Sequence, residues 1–367
     1  MTALFAAVPV DDAVIVTLIV ATRLVVPLFI PRFPLVIIVA LIVDAVDQTL
    51  LAQLTEVDTG EDGPYQSYDK ALDIYYLTVA YLATMRNWAS EGAFRVGRFL
   101  FFYRLVGVTL FELFDERWLL LVFANTFEYF FIAYEVVRLR WNPTRISTRG
   151  WVLIAAAIWI FVKLPQEWWI HIAQLDFTDA VRDHTELFVL FGLLAIVLGV
   201  VAWVVLRKRV PAPDWGYRFA AEPVAPELAT TEARYRSRLE RGIRSRFLLE
   251  EMFLLSLVCV IFALFLPGGE ASSLEIAIAV AGIVLGNTLV ALWIARRGGL
   301  GGISSGIVLY LLRFALNFAL LWLAGELAGE REPAPLGHAL FFAQLITLIT
   351  WLYDWYRPIY EARFRRE

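Results

Sequence analysis

The chain has 367 residues, of which 60% are hydrophobic, 15% aromatic and only 19% charged, and its formal net charge is -4. Soluble domains are nearer half apolar and a quarter charged, so this composition excludes an ordinary soluble enzyme, gives no reason to expect a nucleic-acid partner and leaves no length for a sizeable soluble domain. The one cysteine, Cys259, lies in an apolar run, which excludes an intrachain disulfide and a Cys-based zinc site.

A membrane-spanning helix needs about 20 apolar residues. By that measure the chain reads as an all-α polytopic integral membrane protein, a bundle of about eleven transmembrane helices. The N-terminus lacks basic residues, Asp11 and Asp12 precede the first apolar run, and no small-x-small site follows, so a retained helix is expected there instead of a cleaved signal.

The first two expected spans cover residues 13–30 and 34–52, joined by a tight turn around Pro31 and Pro34. Counting outward from that turn at about 1.5 Å per residue places Arg23 and Asp44 within roughly one helical turn in depth, and they are expected to pair. Asp47 falls in the outer half of the second span. The third span, 68–85, opens with Asp69 and Asp73 on one face and Lys70 between them. The fourth, 98–112, is short, which suggests a tilted or re-entrant segment; the fifth covers 118–137. Arg104 and Glu128 come out at nearly equal depth and are expected to pair, with Asn125 and Glu135 on the Glu128 face.

A short sixth span, 150–164, leads into an amphipathic stretch, 165–184, that carries Glu167, His171, Asp176, Asp179 and Asp183 among Trp168 and Trp169. All three histidines, His171, His184 and His338, fall outside. After a seventh span at 185–206 comes the longest loop, 207–246. It is Pro-rich first, then basic, with Arg234, Arg238, Arg241 and Arg244 at helical spacing. The plain reading of that second half is a solvated helix. The functional one is an anionic lipid head-group site, worth about 1 kcal/mol per basic residue near the surface. The loop divides the chain into an N-terminal bundle, 1–206, the loop itself, 207–246, and a C-terminal bundle, 247–367.

The last four spans are expected at 247–266, 274–295, 303–324 and 337–356. Gly282 with Gly286, and Gly302 with Gly306, form GxxxG pairs that mark packing within the chain or between protomers in an oligomer. Most Lys and Arg residues gather in alternate loops, which puts the N-terminus outside and the C-terminus inside. Arg313 falls near the middle of its span with Asn317 one turn on and Asn287 at similar depth, and no carboxylate of the last four spans is expected at that level.

Ionisable groups within spans are costly and default to function or pairing. The leading expectation is a multi-pass transport protein of the cell membrane for a small ion or an anionic solute. In it Arg313, Asn287 and Asn317 bind the anionic part, Arg104 and Glu128 form a switchable pair, and Asp69, Asp73 and Asp176 line an outer vestibule. A second expectation is an enzyme acting on a lipid-linked substrate at the outer face, with Asp47, Asp69, Asp73, His171 and Asp176 as divalent-metal ligands or acid–base groups; no other cofactor is expected. A third is a non-catalytic partner subunit whose buried charges are pins.

Overall fold

The computed structural model describes residues 10–55, 64–114, 118–169, 211–228, 246–264, 272–296, 306–328 and 336–364, with isolated positions at 116, at 230 and between 186 and 200. His171 and Asp176 lie outside the described residues, as do most of the seventh expected span and most of the basic helix at 227–246. Among the described residues every regular element is helical. Seven helices are long and apolar enough to cross a membrane. The protein is a helical membrane protein.

Helices α1 (Val10–Val25) and α2 (Val36–Leu54) are joined by a short 3-10 turn, Val26–Phe29. Two prolines flanking Arg32 keep this connection from continuing either helix, and Arg86 and Asn87 both donate to the Pro31 carbonyl, at 2.8 and 3.1 Å. Helix α3 (Pro64–Asn87) follows, then α4 (Glu91–Phe114). The fourth expected span therefore lies within a helix of 24 residues and is not short. Its first turns carry Arg95 and Arg98, which depress hydropathy but extend the helix toward the basic side.

Helix α3 is polar in composition and is nonetheless the centre of the molecule. From Ala71 to Met85 most of its residues are buried. A helix facing lipid must be apolar outward, whereas one enclosed by protein can carry polar groups that its neighbours satisfy. The rim helices show the converse: Leu18, Phe99, Leu153, Phe161, Leu249, Leu274 and Ile307 expose apolar side chains.

The fifth expected span is broken in two. Helix α5 (Trp118–Val122) ends at Phe123, and α6 (Thr126–Arg138) starts after Asn125. Gly107 on α4 explains where the chain bends. A Cβ there would come within 2.0 Å of the Phe123 Cβ, so only glycine admits this approach. Helix α7 (Thr148–Ile158) begins with Ser147 accepting from the Gly150 amide at 3.2 Å. It widens into a π-helical turn, Trp159–Lys163, before α8 (Leu164–Glu167). Pro165 lacks the amide hydrogen that Phe161 would otherwise receive four residues on, and the ladder slips there.

Helices α9 (Arg246–Leu264), α10 (Ser273–Arg296), α11 (Gly306–Ala328) and α12 (Leu336–Phe364) complete the bundle. Helix α12 packs on α3 and α9 packs on α4, so one buried cluster runs from Ile30 to Tyr353 through both halves of the chain. Gly282 meets nothing within 4 Å and Gly286 only the Leu320 side chain at 3.9 Å. Among the described residues this GxxxG pair makes no close approach; the close approaches there are at Gly92, Gly97 and Gly107 of α4 and at Gly150 of α7.

The Pro-rich part of the long loop is irregular, as expected from its prolines, and is tied down. Its amides at Asp214, Arg218 and Ala221 donate to the carbonyls of Arg140, Leu139 and Arg32, at 2.9, 3.1 and 2.8 Å. Trp215 donates to the Arg138 carbonyl at 3.1 Å, and Arg138 donates back to Ala220 at 3.2 Å. The segment 211–228 forms a strap across the ends of α3 and α6 and the α1–α2 turn.

Candidate functional site: an arginine among four aspartates

Arg23 and Asp44 meet, as their depths predict, but not as a pair. Arg23 Nη1 contacts Asp47 and, at 2.6 Å, Asp69. Its Nη2 contacts Asp44 and, at 2.9 Å, Asp73. Three helices contribute: Arg23 from α1, Asp44 and Asp47 from α2 at i and i+3, Asp69 and Asp73 from α3 at i and i+4. Each spacing puts both carboxylates on one helical face. Two sets that the sequence suggests separately, an Arg23–Asp44 pin and an Asp47, Asp69, Asp73 grouping, are one site.

The Arg23 side chain is 3% exposed and that of Asp47 1%, whereas Asp44, Asp69 and Asp73 remain 21%, 27% and 24% exposed. The site therefore has a closed floor and an accessible rim. Oxygens of Asp44, Asp69 and Asp73 all lie within 4.8 Å of one another. Among the described residues one guanidinium faces four carboxylates, so the formal charges within this group do not cancel. Beside it, Lys70 lies 3.8 Å from Glu112 and over the Phe111 ring.

A second polar group surrounds the α5–α6 break. Asn125 Nδ2 donates to Glu128 Oε2 at 2.8 Å, and the Asn125 amide donates to Glu167 Oε1 at 3.3 Å. Lys163, on the π turn, reaches Gln166 at 3.0 Å and Glu167 at 3.7 Å. The expected Arg104–Glu128 pair does not form. Arg104 Nη1 donates instead to the Phe123 carbonyl at 3.1 Å, because the break frees that carbonyl from the helical ladder. The depth count assumed a continuous helix and missed this acceptor. Glu135, two turns on, accepts from Trp88 Nε1 at 3.0 Å and pairs with Arg138. Lys163 falls at the end of the sixth expected span and Glu167 in the amphipathic stretch after it; their i, i+4 spacing, with Pro165 between, is the signal the sequence offers for this contact.

The C-terminal group is arranged differently from expectation. Arg313 is not isolated: its Nη1 lies 2.8 Å from Asp354 Oδ2. Helix α12 runs eight residues beyond the expected end at 356, which moves Asp354 well inside the helix. Asn287 donates to Asn317, Asn317 donates to Thr347 at 2.8 Å, and Thr347 donates to the Ala343 carbonyl. The two asparagines meet each other, and Arg313 turns to Asp354.

No family model, curated protein or solved structure matches the chain.

Proposed function

We propose that the protein is a multi-pass transport protein of the cell membrane, with about eleven spans, the N-terminus outside and the C-terminus inside, and that it carries a small cation. The observation that carries this reading is the Arg23 cluster. Four carboxylates from three helices around one guanidinium are an excess of negative charge, and its compensation requires a further cation, a proton or a metal ion. Arg23 acts as a tethered cation. When a mobile one arrives at the rim formed by Asp44, Asp69 and Asp73, the guanidinium yields some of its contacts and leans on Asp47. When the ion leaves, Arg23 closes over the vacated oxygens. The anionic solute of the sequence-based expectation has no support here, since the Arg313 charge is neutralised by Asp354.

The test is flux into proteoliposomes under imposed sodium, potassium and proton gradients. Wild-type protein is expected to dissipate at least one of them, Asp73→Asn to abolish that flux, and the paired replacement Arg313→Met with Asp354→Leu to retain it. Silence of the wild type toward every cation, or full flux through Asp73→Asn, overturns the reading.

One observation favours a second reading. The triad of Asp44, Asp69 and Asp73 has the oxygen donors and closeness that a divalent cation requires, which suits an outer-face enzyme acting on a lipid-linked phosphate. Elemental analysis of purified protein separates the two: about one tightly held divalent ion per chain, lost in Asp69→Ala, favours the enzyme, and its absence favours transport.

A further inference from the structure

The helix break between α5 and α6 holds two buried oxygens that no donor reaches. Glu128 is 3% and Asn125 5% exposed. Glu128 Oε1 and Asn125 Oδ1 accept no hydrogen bond, although the other ends of the same two groups are joined, Asn125 Nδ2 to Glu128 Oε2 at 2.8 Å. That bond also fixes the orientation of the amide, because the opposite one would set two acceptors face to face.

Two cations, Lys163 and Arg104, act on Glu128 electrostatically, but their hydrogen bonds go to other groups. Arg104, on α4, donates to the Phe123 carbonyl. Lys163, on the π turn, is held by Gln166 and Glu167 and lies over the Tyr129 ring at 4.7 Å. The remaining neighbours are Tyr76 of α3, whose hydroxyl hydrogen-bonds the Glu128 carboxyl group without filling Oε1, Asp73 of the same helix, which acts on Glu128 electrostatically, and Glu167 of α8, taken up by the Asn125 amide. An ionised carboxylate with one empty oxygen, next to a second empty acceptor, is among the costlier arrangements a buried site can hold.

One proton removes both deficits. We propose that Glu128 is a proton-binding site: it holds a proton on Oε1 and donates it to Asn125 Oδ1, closing an acid–amide ring with two parallel hydrogen bonds. The atoms balance without a further partner, since the carboxylic acid contributes one donor and one acceptor and so does the amide. Tyr76 stands one turn beyond Asp73 on the same face of α3 and interacts with Glu128, Asp73 and Asp44. The Glu128 site is thereby joined to the Arg23 cluster, and discontinuous helices are where polar groups at membrane depth are commonly placed for ion handling. The relay role rests on the transport reading; the bound proton rests on the geometry of the break.

The experiment is infrared difference spectroscopy of the intact protein in lipid, comparing wild type with Glu128→Gln and Asn125→Ala at neutral pH. A protonated-carboxyl C=O band that shifts in D2O is expected in the wild type. It is expected to be absent in Glu128→Gln, whose amide can pair with Asn125 and keep the fold, and to move or vanish in Asn125→Ala. If wild type and Glu128→Gln give the same carboxyl region, the proposal falls, since a bridging water or a metal ion would leave Glu128 ionised. Liposome flux is read on the same preparations. A Glu128 band without cation flux sinks the transport reading and spares the proton site; flux with no such band does the reverse.

Discussion

The Arg23 cluster and the polar group of the last helices are built from the same residue types and behave as opposites. Around Arg313, one guanidinium meets one carboxylate, and Asn287, Asn317 and Thr347 pass hydrogen bonds in a closed line that ends on a backbone carbonyl. Asn317 and Thr347 are wholly buried. Around Arg23, one guanidinium meets four carboxylates, three of them open at the rim. Polarity at membrane depth is therefore not by itself the mark of a site. The mark is an imbalance of charge or of donors that something mobile must complete.

The sharpest way to break this contrast is to remove each arginine. Arg23→Gln leaves four carboxylates without their cation and is expected to cost about 3–5 kcal/mol, read as a shifted denaturation midpoint in detergent, together with loss of flux. Adding Asp47→Asn is expected to recover part of the stability and none of the flux. Arg313→Met alone is expected to cost about 3 kcal/mol because the buried Asp354 loses the guanidinium it pairs with, and Asp354→Leu in the same chain to restore most of it. If Arg313→Met with Asp354→Leu stays as unstable as the single variant, the pair is more than a pin. At the helix break, Gly107→Ala sets a methyl against Phe123 and is expected to cost about 1–3 kcal/mol and to perturb the Glu128 carboxyl band. The smallest effect is expected from Thr347→Val, which removes both Thr347 hydroxyl hydrogen bonds of that line, from Asn317 and to Ala343, at about 1–2 kcal/mol with flux unchanged.

Much of the fold is legible in hydropathy, because lipid demands long apolar helices whatever they later pack against. The meeting of Arg23 with Asp44 is legible too, since a tight turn makes depth countable from one fixed point. What defeats such counting is any place where the helix is not the one assumed. Helix α12 continues through a basic, Pro-containing end that hydropathy reads as loop, and so Arg313 loses its partner on paper. The α5–α6 break carries no proline and no run of glycine. Its cause, Gly107, sits on another helix and acts only through packing. The joining of Asp69 and Asp73 to Arg23 depends on how α3 lies against α1 and α2, which spacing within one helix does not contain. The core position of α3 is the least legible feature, because the helix that looks least suited to a membrane is the one its neighbours bury most fully from Ala71 to Met85.

The strap at 211–228 has a consequence for how the molecule is made. Its amides grip the carbonyls of Arg32, Leu139 and Arg140, residues synthesised long before it. The early helices must therefore already stand side by side when the strap emerges, and its arrival ties their ends together as a late seam. Closing so long a loop costs little more than closing a short one, since the entropy grows only with the logarithm of length. Cutting the chain after α6 and supplying the two pieces separately should accordingly leave the early bundle inserted in the membrane but unstitched along its basic face.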